Sequence, residues 1–285
     1  PSIATDLENK YHLMNNAIVK ENFNIDLLNF DELKGKTPYS HQKAAVWQNI
    51  TQMGGIIDHE VGFGKTLTMA MTTMKKIELN LIKKELIVGK NANYKELYND
   101  YKEAFPKGKF LLVQEQDVSV SKKQETFYRI MNNNYDAVFI AHSSLIAFPP
   151  APVQEEAVLR ETIKDLSDTL LINKEDKLLT SGEVNKMQKA LADCEIKLQY
   201  AQDIINSKKA DGILTFDDLK FDSITVDESH DFKNLKFVTK HTRVAGLGNG
   251  AAVQKTDNLL NYIRNIQTKD GGDKVVTFAS GTTIS

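Results

Sequence analysis

The sequence predicts an α/β fold: a parallel sheet flanked by helices and interrupted by an inserted antiparallel helical hairpin. Three observations predict it. Short apolar runs recur along the chain, helix-like stretches separate them, and one long charged segment carries a heptad seam in place of any strand signal.

The strand candidates are "GGIID" at 54–58, "ELIVG" at 85–89, "KFLLV" at 109–113, "YDAVFIA" at 135–141, "FDSITVDE" at 221–228 and "KVVTFAS" at 274–280. Several are continuously apolar rather than alternating, as expected of strands covered on both faces. Helix-like stretches at 65–80, 93–104, 121–132 and 251–267 lie between them. Strands that alternate with helices favour parallel crossover connections.

The hairpin rests on a different periodicity. Val184, Met187, Leu191, Cys194, Leu198, Ala201 and Ile205 are spaced 3, 4, 3, 4, 3, 4, and Leu159, Ile163, Leu166 and Leu170 form a matching seam before them. "NKEDKLL" is the expected turn, and Thr180 with Glu183 has the spacing of a capping box opening the second helix. Acidic and basic residues roughly cancel along this segment, which reads as a solvated arm. The expected organisation is an N-terminal helical extension at 1–37, a first part of the sheet domain at 38–152, the hairpin at 153–209 and a second part of the sheet domain at 210–285.

Composition narrows the function classes. Over 285 residues the chain is 41% hydrophobic and 26% charged, with a formal charge of -2, so any basic surface must be local. One cysteine, Cys194, excludes an internal disulfide framework and a cysteine-rich zinc site, and the six histidines lack ligand spacing. No signal peptide or membrane-spanning run is evident, so the expected location is cytoplasmic. The first residue is not Met and the sequence stops at "ASGTTIS", which suggests a piece of a longer protein.

The chemistry concentrates in two motifs. "IIDHEVGFGKTLTMA" at 56–70 places two glycines and a Lys-Thr pair between a strand and a helix. Gly62 and Gly64 permit close backbone approach to a polyphosphate, Lys65 can reach its terminal phosphates, and the Thr66 hydroxyl can ligate Mg²⁺. His59 stands where the strict G-x-x-x-x-G-K-[ST] pattern has its first glycine. Far downstream, "SITVDESHDF" ends an apolar run with Asp227 and Glu228, at the strand edge where open α/β sheets bind ligands. Asp227 can hold Mg²⁺, and Glu228 can orient and deprotonate an attacking water. Together the two motifs supply what magnesium-dependent nucleoside triphosphate hydrolysis requires.

Asp227-Glu228-Ser229-His230 resembles the DExH box of superfamily-2 helicases and translocases, whose phosphate loop tolerates a non-glycine start. Further segments follow that family's order. "YSHQKAAVWQ" is similar to the segment whose glutamine, here Gln42, reads the adenine edge. "KELIVGKNANYKELYNDYKEAFP" and "YDAVFIAHSSL" resemble the DNA-contacting motifs of the Swi/Snf-like branch, with Gly89-Lys90-Asn91 in place of the usual Pro-centred turn. "ASGTTIS" is similar to the S/T-G-T-P-I motif that couples hydrolysis to lobe movement, with Thr283 in place of the proline.

The resemblance implies the first RecA-like lobe of a DNA-dependent ATPase. ATP and Mg²⁺ are the implied cofactors, held by Gln42, Gly62, Phe63, Gly64, Lys65, Thr66 and Leu67, with Thr66 and Asp227 toward the metal. His230, Ser280, Gly281 and Thr282 are implied in coupling, and Asn91, His142 and Ser143 in contacts to DNA, duplex and read without regard to sequence. The implied partners are a second RecA-like lobe, which carries an arginine finger, and a methylase domain. The N-terminal "LENKYHLMNNAIVKENF" and the helical arm are similar to the large DNA methylase–helicase fusions of phages and conjugative elements, although no N-P-P-[YF] motif is present.

The competing function is a nucleotide-regulated interaction module that docks a partner through its helical arm. Other features read as structure: Trp47 as core, "VAGLGNGAA" at 244–252 as a loop, and Lys233, Lys236, Lys240, His241 and Arg243 as a solvated basic cluster.

Overall fold

The computed structural model describes residues 23–176, 180–207, 214–232, 254–270 and 275–281. The glycine loop at 244–252, the basic cluster at 233–243, Thr282, Thr283, and residues 1–22 of the N-terminal extension lie outside the described residues, as does part of the hairpin turn. So does the Glu183 side chain of the expected capping box.

Among the described residues, six strands form one all-parallel sheet: β1 (Gly55–Asp58), β2 (Glu85–Gly89), β3 (Phe110–Leu112), β4 (Ala137–Ala141), β5 (Ser223–Val226) and β6 (Val276–Ser280). Their spatial order is β1-β6-β5-β2-β4-β3. Each strand falls inside its apolar run, trimmed by up to two residues at either end. All C-terminal strand ends therefore share one edge. Since β6 lies between β1 and β5, the loop after β1 and the turn after β5 flank the end of β6.

Alternation along the strands sorts the core into two layers. Leu86 and Val88 of β2, Val138 and Ile140 of β4, and Ile224 and Val226 of β5 point to one face. There they meet Phe127 and Ile130 of α4 (Lys123–Asn132) and Tyr262 and Ile266 of α7 (Gln254–Asp270). On the other face, Ile57, Ile87, Phe139 and Ala279 pack under α1 (Ser40–Thr51), α2 (Lys65–Glu78) and α3 (Tyr94–Ala104). Trp47 belongs to this second layer. Phe139 meets Tyr98, Tyr101 and Phe110 edge-on, with centroids 5.4, 4.9 and 5.8 Å away. Coverage on both faces holds for β2, β4 and β5, where every residue is buried. It fails for β1, an edge strand whose Ile56 is 67% exposed.

Two long helices occupy the heptad segment, α5 (Pro152–Asp176) and α6 (Ser181–Asn206). Leu159, Leu166, Met187 and Cys194 form their buried seam, with Ile163, Leu170, Leu191 and Leu198 beside it. The Gln202 amide near the end of α6 donates to Glu156 at the start of α5, 3.0 Å away, so the helices run antiparallel. The hairpin base meets α7 through Lys197–Asp257 and Arg264–Glu161, both 3.4 Å.

Beneath α2 lies a buried polar network. The Lys76 ammonium donates to Thr277 Oγ1 (3.2 Å), and that hydroxyl donates to Asn49 Oδ1 (3.0 Å). Glu85 Oε1 accepts from Ser223 (2.9 Å) and Thr225 (2.8 Å), while its Oε2 is buried without a hydrogen-bond partner. Burial lowers the Lys76 pKa and the Glu85 charge opposes that shift.

Candidate nucleotide and coupling site

The chain leaves β1 at Asp58, turns through 59–64 and enters α2 at Lys65. Gly64 makes the turn possible: its φ of 73° lies in the left-handed region, and a Cβ there would sit 2.3 Å from Gln42 Nε2. Its carbonyl then starts the helix, accepting from the Thr68 N–H at 3.0 Å and the Thr68 hydroxyl at 3.2 Å. The backbone donors of the first turn thus point out of the sheet edge, as an anion site requires. Thr66 and Leu67 sit half-buried in that first turn, and Phe63 is 53% exposed.

Gln42 is buried and braces this loop. Its Nε2 donates to the Gly64 carbonyl (3.2 Å), and its Oε1 accepts from the Tyr39 N–H (2.9 Å). The side chain that the resemblance assigns to the adenine edge therefore ties the phosphate loop to the start of its own helix here. Aromatic rings gather at the loop mouth: the exposed His41 ring stacks on exposed Tyr39 (centroids 5.7 Å apart) and meets half-buried His59 (5.2 Å) and exposed Phe63 (5.9 Å) edge-on. His41 Nε2–H donates to the Phe63 carbonyl at 3.3 Å. Burial, then the neighbouring His41, lowers the His59 pKa. Tyr39 and His41 both lie just ahead of Gln42 in sequence, and their aromatic character was the available signal.

From the other side comes the turn after β5. Lys65 Nζ donates to Glu228 Oε1 at 2.6 Å and lies 3.6 Å from Asp227 Oδ1. All three side chains are mostly buried. Glu228 adopts a φ of 49°, a conformation that costs a non-glycine residue about 1–3 kcal/mol. Burial raises the Asp227 pKa, Lys65 pulls it back, and Glu228 adds to the rise.

Asp227 Oδ1 is buried and has no hydrogen-bond partner. A buried carboxylate oxygen without a hydrogen-bond donor fits a hydrated divalent cation. Among the described residues no group of three or more His, Cys, Asp or Glu side chains is placed to hold a metal. Mg²⁺ keeps several waters and needs no such cage.

The end of β6 closes the site. His230 Nδ1 lies 3.2 Å from Ser280 Oγ and 3.2 Å from Glu228 Oε2, so one imidazole touches both the acidic pair and the strand end. Gly281 abuts the loop: a Cβ there would fall 3.3 Å from Lys65 Nζ and 3.1 Å from a Val61 methyl. The structure thus brings together Lys65, Asp227, Glu228, His230, Ser280 and Gly281.

The three residues expected at nucleic acid divide. Asn91 and Ser143 are exposed at the ends of β2 and β4 and hydrogen-bond each other at 2.7 Å. His142 is placed differently from the other two. It is 3% exposed, its ring packs on Phe232 with centroids 4.6 Å apart, and its Nε2–H donates to the Asp227 carbonyl at 2.9 Å. A polar residue at a strand end reads as surface in the sequence, but here the turn after β5 covers it. Its role is to hold the backbone of the acidic turn.

A parallel α/β sheet that brings a glycine-lysine loop and an acidic pair together across an intervening strand is suited to binding a phosphorylated ligand at its C-terminal edge. The family model described as "Probable helicase domain" matches residues 47–285, and the chain belongs to that family. Comparison with curated proteins finds no match. Among solved structures, the chain is similar to the SWI2/SNF2 ATPase core of Sulfolobus solfataricus in complex with dsDNA. That match has 12% identity, covers 90% of this chain and 34% of the other, and has a TM-score of 0.46. The chain therefore spans about a third of that relative's length.

Proposed function

We propose that this chain is the ATP-binding lobe of a DNA-dependent ATPase of the superfamily-2 type, acting as a duplex translocase. One observation carries the reading: Lys65 meets Asp227 and Glu228 at the C-terminal sheet edge, although the loop and the acidic pair are 163 residues apart. Membership of the helicase-domain family supports it.

In this reading ATP supplies the phosphoryl bond that is hydrolysed, and Mg²⁺ neutralises its charge. Lys65 and the α2 N-terminus bind the phosphates, Thr66 and Asp227 face the metal, and Gln42 holds the loop in shape while facing the adenine side. Glu228 accepts the proton of the attacking water, a role open to it once its oxygen is released from the Lys65 ammonium. His230 links that carboxylate to Ser280, so the state of the acidic pair is felt at the end of β6. Asn91 and Ser143 contact the DNA backbone, which makes binding insensitive to sequence and steeply salt-dependent.

A second RecA-like lobe would complete the motor by adding an arginine, a contribution of about 10³–10⁵ in rate among NTPases. Alone, this lobe binds ATP weakly and turns over slowly. An attached methylase, in a larger DNA-modification protein, is part of the same proposal. The test is ATP binding and steady-state hydrolysis with and without duplex DNA. Turnover by the isolated chain near the ~1 per second of ordinary enzymes would contradict the single-lobe reading. Failure to bind MgATP would contradict the whole proposal.

Replacing 153–209 by a short linker separates this function from partner docking through the arm. A motor lobe keeps its nucleotide affinity, whereas a docking module loses its main activity.

A further inference from the structure

The sheet edge that carries the phosphate loop also carries a second polar cluster, over β2, β4 and β3. Asn91 follows β2, Ser143 follows β4 and Glu115 follows β3, and all three are exposed. Asn91 Nδ2 donates to Glu115 Oε1 at 3.2 Å, and the Ser143 hydroxyl donates to the same oxygen at 3.3 Å. The Ser143 N–H donates in turn to Asn91 Oδ1 at 3.2 Å. These groups line a cleft of about 510 Å³ together with Lys123, the first residue of α4. Burial holds the Lys123 pKa below its ordinary value.

Two neutral donors, a half-desolvated lysine and a helix start suit a phosphodiester, a monoanion with two free acceptor oxygens. Glu115 is also a monoanion with two acceptor oxygens, and it already takes both donors. We propose that the Glu115 carboxylate occupies the seat of a DNA backbone phosphate and sets a threshold for DNA engagement. The inference rests on the reading of Asn91 and Ser143 as DNA contacts.

Release of Glu115 needs little rearrangement. Asp117 Oδ2 accepts from the Gln114 N–H at 2.9 Å, which closes the short 3-10 turn at Glu115–Val118 without using the Glu115 side chain. Rotation of the exposed side chain is enough to free both donors. Until it rotates, an approaching phosphate meets a like charge and finds its donors taken.

The test is duplex DNA binding by fluorescence anisotropy at low salt, for the parent chain, Glu115→Gln and Glu115→Ala. Unchanged thermal unfolding midpoints show that the variants are folded. Both variants should bind duplex about three- to tenfold more tightly, and adding Ser143→Ala or Asn91→Ala should reverse the gain. If the parent binds duplex and neither variant gains, the inference is overturned while the ATPase reading stands. If neither parent nor variants bind duplex, the DNA reading falls and the inference falls with it. Inorganic phosphate, compared with chloride at matched ionic strength, separates a polymer backbone from a free anion. Displacement by phosphate and not by chloride would assign the seat to the free anion and overturn the DNA assignment.

Discussion

Lys65 Nζ and Glu228 Oε1 lie 2.6 Å apart although 163 residues separate them in the chain, and the pair is largely sheltered from water. Lys65 also stands 3.6 Å from Asp227, so one ammonium balances two carboxylates. Lys65→Ala removes that balance. We expect a loss of about 1–3 kcal/mol in stability, between the values for surface and fully buried pairs. MgATP affinity should fall about 100-fold or more, because the point charge facing the phosphates is gone. Thermal unfolding with and without MgATP measures both. A variant still stabilised by MgATP as strongly as the parent would remove Lys65 from the site.

Glu228→Gln separates binding from chemistry. The amide can still accept a hydrogen bond from Lys65, so the turn and the nucleotide seat should persist. It cannot take a proton from water, so hydrolysis should fall about 10²- to 10⁴-fold, with MgATP affinity changed little. The comparison needs a measurable parent rate, and DNA-stimulated hydrolysis by this chain paired with its second lobe provides it. Equal rates in parent and variant would assign the proton transfer elsewhere.

Much of this site was legible because its chemistry is short-range in sequence. The Gly-Lys-Thr run and the Asp-Glu pair each follow an apolar run, and a parallel sheet must bring all such ends to one edge. The order of strands was not legible: pairing of β1 with β6 brings 55–58 beside 277–280, and local pattern says nothing about such partners. For the same reason the burial of His142 was not legible. Its burial comes from Phe232 and the Asp227 backbone, which reach it only through folding. Glu115 carried a faint signal as an acid just after a strand, but its meaning depends on Asn91 and Ser143 arriving from two other strands. The Lys76–Glu85 network left no trace, because a lysine near a helix end and a glutamate at a strand start both read as solvated.

His142 makes stability depend on pH. Burial is the main cause that lowers its pKa from 6.5 to about 4, against the opposing bond to the Asp227 carbonyl. The folded state thus holds a neutral ring that the unfolded chain would protonate. Stability is full above about pH 6.5 and falls as pH drops toward about 4, by up to about 3 kcal/mol from this residue. His142→Gln can donate to the same carbonyl but does not titrate, so its stability should be flatter across that window. Urea unfolding of both proteins at the two ends of the window checks this. Parallel pH profiles would mean that His142 is exposed to protonation in the folded state.

Lys76 and Glu85 should behave as a coupled pair although each bonds to hydroxyls instead of to the other. Both are fully buried, and the Glu85 charge counters the loss of hydration that lowers the Lys76 pKa. Lys76→Met leaves a buried carboxylate with one unpartnered oxygen and no opposing charge, and Glu85→Gln leaves a buried ammonium in the same position. Each single change should cost about 3 kcal/mol or more. The double variant carries neither charge and retains the Ser223 and Thr225 bonds to the amide oxygen, so it should cost less than either single one. A double-mutant cycle by urea unfolding measures the coupling. Strictly additive costs would show that the two charges do not sense each other, and that the hydroxyl bonds alone hold the base of β2, β5 and β6 beneath α2.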